Sequence, residues 1–86
     1  MNYIYKFTVR NDEGTFKDSI YAESDSDAIA FIISEWFDAD SYERNLEEVK
    51  DLTEDERVIR LMKKVDESRE DGVYLLSLMK VLRDPD

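Results

Sequence analysis

Residues 2–10 put Tyr3, Tyr5, Phe7 and Val9 on one side and Asn2, Ile4, Lys6, Thr8 and Arg10 on the other. A period of two is that of a half-buried strand, and the aromatic and β-branched types suit a pleated surface. Asn11-Asp12-Glu13-Gly14 follows, where Asn and Asp can hydrogen-bond a turn and Gly14 can take a positive φ. Phe16, Ile20 and Ala22 then alternate with Lys17, Ser19 and Tyr21. If Arg10 lies opposite Thr15, Val9 meets Phe16 and Tyr5 meets Ile20 on one face, while Asp18 falls opposite Phe7. Sliding one residue turns Lys17 and Ser19 to the aromatic face and strands Phe16 and Ile20 on the other. The first register is expected, and the chain is built on an N-terminal hairpin.

The helices announce themselves through caps. Ser24-Asp25-Ser26-Asp27 offers two serines able to cap a first turn and two acids suited to the positive end of a helix dipole. Ile29, Ile32, Ile33 and Trp36 follow at i, i+3, i+4, i+7, which predicts a helix over 24–37 with that stripe on the hairpin. Phe31 falls off the stripe, either packed on a later helix or open to a partner. Asp38-Ala39-Asp40-Ser41 breaks the pattern. Tyr42, Leu46 and Val49 predict a short helix over 41–50, with a strand across 46–52 as the alternative. Thr53-Glu54-Asp55-Glu56 is a capping box before Val58, Leu61, Met62 and Val65, and Gly72 should end that helix.

Residues 73–82 are apolar on nearly every side. Leucine and methionine there favour a helix, whereas Gly72-Val73-Tyr74 favours a strand that would join the hairpin as its third member; the helix is the reading adopted. Arg83-Asp84-Pro85-Asp86 reads as a polar tail. The expected fold class is α+β: one domain over residues 1–86, an N-terminal antiparallel β-hairpin packed against a helix, then two or three further helices.

Charge bounds the function. The chain carries a formal net charge of −10. The imbalance sits in residues 23–56, where thirteen acids face two bases, Arg44 and Lys50. Such a balance disfavours direct nucleic acid binding and binding to anionic membranes, and it favours a basic protein surface. Without cysteine or histidine there is no thiol nucleophile, disulfide, common general base or zinc-type ligand set. Gly14 and Gly72 are isolated, so no phosphate loop is present. An enzyme is not expected, nor any cofactor. Asp38-Ala39-Asp40-Ser41-Tyr42-Glu43 lacks the fifth-position ligand and sixth-position glycine of a calcium loop, so no metal is expected either. The absence of cysteine fits a cytoplasmic location.

What remains is the acidic strip after the first helix: Asp38, Asp40, Glu43, Glu47 and Glu48, continuing through Asp51, Glu54, Asp55 and Glu56. A charge run commonly serves as a solvated face. On a helix, however, acids three or four apart make a string of charge comparable with a nucleic acid backbone, able to occupy a basic groove in a salt-sensitive way. In size, acidity and layout the chain resembles the small inhibitor proteins of phages and mobile elements, of the anti-CRISPR and anti-restriction DNA-mimic type. That resemblance implies stoichiometric inhibition of a host-defence nuclease complex or another basic nucleic-acid-binding protein, in the cytoplasm of a host cell. The competing expectation is a small adaptor or homodimer that binds through an apolar patch at Phe31, Tyr42 and Tyr74.

Overall fold

The computed structural model describes residues 2–81. They form an α+β domain with the element order β1 (Tyr3–Asn11), β2 (Gly14–Ala22), α1 (Asp25–Trp36), α2 (Tyr42–Val49), α3 (Glu54–Ser68) and β3 (Tyr74–Val81). The three strands make one antiparallel sheet in the order β2-β1-β3. The helices pack against one face of it, where Phe7 and Val9 join Ile29, Ile32, Ile33, Leu61 and Val65 in the buried core.

The hairpin takes the expected register, with Arg10 opposite Thr15, Val9 opposite Phe16 and Tyr5 opposite Ile20. Gly14 sits at φ 139°, where a side chain would be strained. The awkward pairing of Asp18 with Phe7 is real. It is tolerated because β2 is an edge strand: Asp18 stays exposed and its Oδ1 accepts from the Ser19 N–H at 2.8 Å.

The adopted helix over 73–82 is corrected to a strand. Within the described residues, Tyr74–Val81 is β3 and pairs with β1. A bulge explains why its pattern looked helical. Ser77 lies opposite Thr8 but Leu75 opposite Val9, so Leu76 is the extra residue. The inward residues Leu75 and Leu78 are therefore three apart, the spacing of a helix rather than of a strand. The third-strand alternative holds. Leu82 and the tail Arg83–Asp86 lie outside the described residues.

The helix caps form as the sequence dictates. The Ser24 hydroxyl accepts from the Asp27 N–H at 3.1 Å. Ile29, Ile32 and Ile33 are buried, and burying a side chain of this size contributes about 1.5–3 kcal/mol. Trp36 lies edge-on to Phe7, ring centroids 6.3 Å apart, and tilted on Phe16 at 5.4 Å. The capping box of α3 is complete: Thr53 Oγ1 accepts from the Glu56 N–H, and the Glu56 carboxylate accepts from the Thr53 N–H. After α3 a 3-10 turn, Arg69–Asp71, leads to Gly72 at φ 82°, the left-handed cap that frees the chain to enter β3. Among the described residues no helix is long and apolar enough to cross a membrane.

Candidate functional site: the acidic helical face

The strip begins at the junction between α1 and α2. Asp38 and Asp40 both adopt positive φ, 53° and 57°, a conformation that aspartate tolerates better than most residues. Ser41 then caps α2 by accepting from the Arg44 N–H at 3.2 Å. Asn45 and Val49 are buried on the inner side of α2. Asn45 Nδ2 donates to the carbonyls of Ala39 and Ser41, at 2.8 and 3.0 Å, fixing the junction to the helix. The far end is held by Arg57, whose guanidinium donates to the carbonyls of Val49, Lys50 and Leu52 at 2.7–3.1 Å. A cation on these last carbonyls also suits the negative end of the helix dipole. Tyr42 ties α2 to α1 by donating its hydroxyl to Asp27. That hydrogen bond, with burial and the Asp27 charge behind it, pushes the Tyr42 phenol up to about 12.

The nine expected site acids separate into groups. Glu54 belongs to the fold: its carboxylate accepts from the Ser26 N–H at 2.9 Å and from the Ser26 hydroxyl at 2.7 Å. The first residue of α3 thus supplies an anion to the first turn of α1. Tyr5 completes that brace by donating to Asp25 at 2.7 Å. Burial first, then this hydrogen bond, moves the Tyr5 phenol upward. Glu56 is the reciprocal partner in the capping box, and its hydrogen bonds from Thr53 lower its carboxyl below the usual value.

Asp40 and Glu48 converge on Lys64, at 3.6 and 2.7 Å. Lys64 also donates to the buried Oδ1 of Asn45 at 2.6 Å. Glu47 makes an exposed pair with Lys50 at 2.6 Å, which contributes little. Asp38, Glu43, Asp51 and Asp55 are exposed and make no ion pair or side-chain hydrogen bond among the described residues.

Of the apolar candidates, Phe31 and Tyr42 meet edge-to-face, centroids 6.2 Å apart, across the α1–α2 contact. Phe31 stays 37% exposed, so it both packs on a later helix and remains open to a partner. Tyr74 is not with them. It lies on the outer face of the sheet, with the Arg10 guanidinium 5.5 Å above its ring. Sequence reasoning missed Lys64, Asn45 and Arg57, and it named Ser26 only as a candidate cap, not as the partner of Glu54. Their partners lie in other elements, so no local pattern marks them. Arg57 alone had a local hint, as a base one residue after a capping box.

The outward acids of α2 offer fixed negative charge on a rigid support. Glu43 and Glu47 are four residues apart, about 6 Å along the axis, and Asp51 is exposed in the turn just beyond the helix end. Among the described residues, no group of three or more acids has an arrangement able to hold a metal ion. No protein family, curated protein or solved structure matches the chain.

Proposed function

We propose that the protein is a non-catalytic binding protein that presents the outer face of α2 to the basic groove of a nucleic-acid-binding protein, inhibiting it as a nucleic acid mimic. One observation carries this reading. The inner side of α2 is anchored through Tyr42, Asn45, Val49 and the Arg57 cap, while Glu43 and Glu47 are exposed four residues apart on the helix and Asp51 is exposed in the turn that follows. Charge held at fixed spacing on a rigid helix displaces counterions from a basic groove without an ordering cost, and its affinity falls steeply with salt. The acids that matter are fewer than the whole strip, since Glu54, Glu56, Asp40 and Glu48 are occupied within the domain.

The test is reversal of Glu43, Glu47 and Asp51 to lysine, which breaks no internal pair except the exposed one between Glu47 and Lys50, itself worth little. Capture of a basic nucleic-acid-binding protein should be lost, and capture by the parent chain should be competed by duplex DNA and released by moderate salt. Capture indifferent to salt and to DNA overturns the reading. The exposed Phe31 beside the same face supports an adaptor as the second reading. Loss of capture on Phe31→Ser, with the triple reversal silent, would select it.

A further inference from the structure

The helices cover one face of the sheet and leave the other uncovered. Its outward positions form four rows of three, read across β2, β1 and β3. The first row is Tyr21, Ile4 and Val81, and the second is Ser19, Lys6 and Met79. The third is Lys17, Thr8 and Ser77, and the fourth is Thr15, Arg10 and Tyr74. One end is thus apolar, with Tyr21 67% and Met79 62% exposed. The middle holds a shallow depression of about 440 Å³ lined by two bases, Lys6 and Lys17, one acid, Asp18, and hydroxyl residues such as Thr8 and Ser77. Three bases and no carboxylate occupy these twelve positions, in a chain whose net charge is −10.

We infer that this outer sheet face is a second docking surface, independent of the acidic strip, whose occupant is an acidic amphipathic helix of a partner protein. Charge complementarity selects the occupant. The strip acids lie on α2, α3 and their adjoining segments rather than on the sheet, and exposed charges farther apart than the roughly 8 Å Debye length at physiological ionic strength are largely screened. Within the depression itself Lys6 and Lys17 outnumber Asp18, so the local charge balance is positive. A helix laid there completes a helix–sheet–helix sandwich, which buries the apolar row. From Ile4 to Arg10 the face runs about 20 Å, the length of roughly 13 helical residues. Leucines on one stripe would cover Tyr21, Ile4 and Met79, and flanking glutamates would reach Lys6 and Lys17.

Other occupants fit less well. A second copy stacked face to face would bring six lysine and arginine side chains together. A single-stranded nucleic acid needs successive open aromatic rings. Here the Tyr74 ring is already covered by Arg10, leaving Tyr21 as the open one on this face.

The experiment is an amide-resolved NMR titration of the full ¹⁵N-labelled chain with a synthetic amphipathic helix of about 16 residues, leucines on one stripe and glutamates flanking it. Shifts should cluster at the outward residues of β1, β2 and β3, and Lys6→Glu with Lys17→Glu should weaken binding about tenfold or more. The milder Lys6→Gln, Lys17→Gln pair gives the same direction if the reversal disturbs the fold. Glu43→Lys with Glu47→Lys should leave this binding intact, which separates it from the strip. Four outcomes would each overturn the inference: shifts confined to the helices, equal binding at the sheet by the peptide with lysine in place of glutamate, tighter binding there by oligothymidylate, or a concentration-dependent dimer through this face.

Discussion

Lys64 gives the sharpest quantitative prediction. Its side chain is 19% exposed, and its ammonium holds three acceptors: Asn45 Oδ1 at 2.6 Å, Glu48 at 2.7 Å and Asp40 at 3.6 Å. Lys64→Met keeps most of the apolar stem and removes the charge. Asn45 is fully buried, so its carbonyl oxygen loses its donor at a cost of about 1–3 kcal/mol. Glu48 and Asp40 are about half exposed, and losing those pairs adds at most about 1 kcal/mol together after solvent screening. The expected loss is about 2–3 kcal/mol. For a domain of this size, at about 4–8 °C per kcal/mol, the Tm should fall by roughly 10–20 °C. Urea unfolding followed by Trp36 fluorescence measures it, with an unchanged m-value as the check that the unfolded state is unaltered. Two results would refute the reasoning. If Glu48→Gln costs as much as Lys64→Met, the exposed ion pair dominates rather than Asn45. If the loss disappears at about 0.5 M salt, Lys64 acts through long-range charge, which salt screens and a buried hydrogen bond resists.

Three further outcomes are expected. Because the folded Tyr42 phenol lies at about 12 against an ordinary 10.0, its stabilising contribution is full below pH 10 and fades as pH rises from 10 to about 12. Tyr42→Phe should flatten stability over that window in urea melts, and a tyrosinate absorbance titration of the folded chain should lose one late component. The Glu56 carboxyl is lowered from 4.5, so its contribution is present above pH 4.5 and is lost as pH falls through the lower folded value. Glu56→Gln should make the acid limb of a stability–pH curve shallower. Gly72→Ala places a Cβ at φ 82° with no atom within 4 Å of it, so its cost is backbone strain alone, about 1–2 kcal/mol. Gly72→Asn should recover part of that in the same urea assay.

The hairpin was legible because two independent constraints coincide: the Tyr3–Val9 alternation and the Asn11–Gly14 turn admit one register that buries the aromatics. Caps were legible because they are local, as at Ser24 and Thr53, whereas the cap at Ser41 was read only as a break in the pattern. Residues 73–82 misled because one bulged residue, Leu76, converts a strand's period of two into a spacing of three. The acidic strip was legible as composition and illegible as function. Glu54 meets Ser26 from 28 residues away, and Lys64 draws in Asp40 and Glu48 from another helix. No spacing rule separates such an acid from one left for a partner.

The bulged strand has a consequence for how the molecule comes together. β1 is the middle strand, yet one of its two neighbours is made at once and the other last. The hydrogen bond from the Ser77 hydroxyl to Thr8 closes a separation of 69 residues. Until residues 74–81 exist, one side of β1 is an open ladder and the floor of the core lacks Leu75 and Leu78. Closing so long a loop adds little to the equilibrium cost, since the entropy grows only logarithmically with length, but it slows the search. An amphipathic edge left waiting in this way invites a strand from another chain. Assembly from the middle outward thus makes β3 the latch of the domain, and the time before it closes is when this protein is most exposed to mispairing.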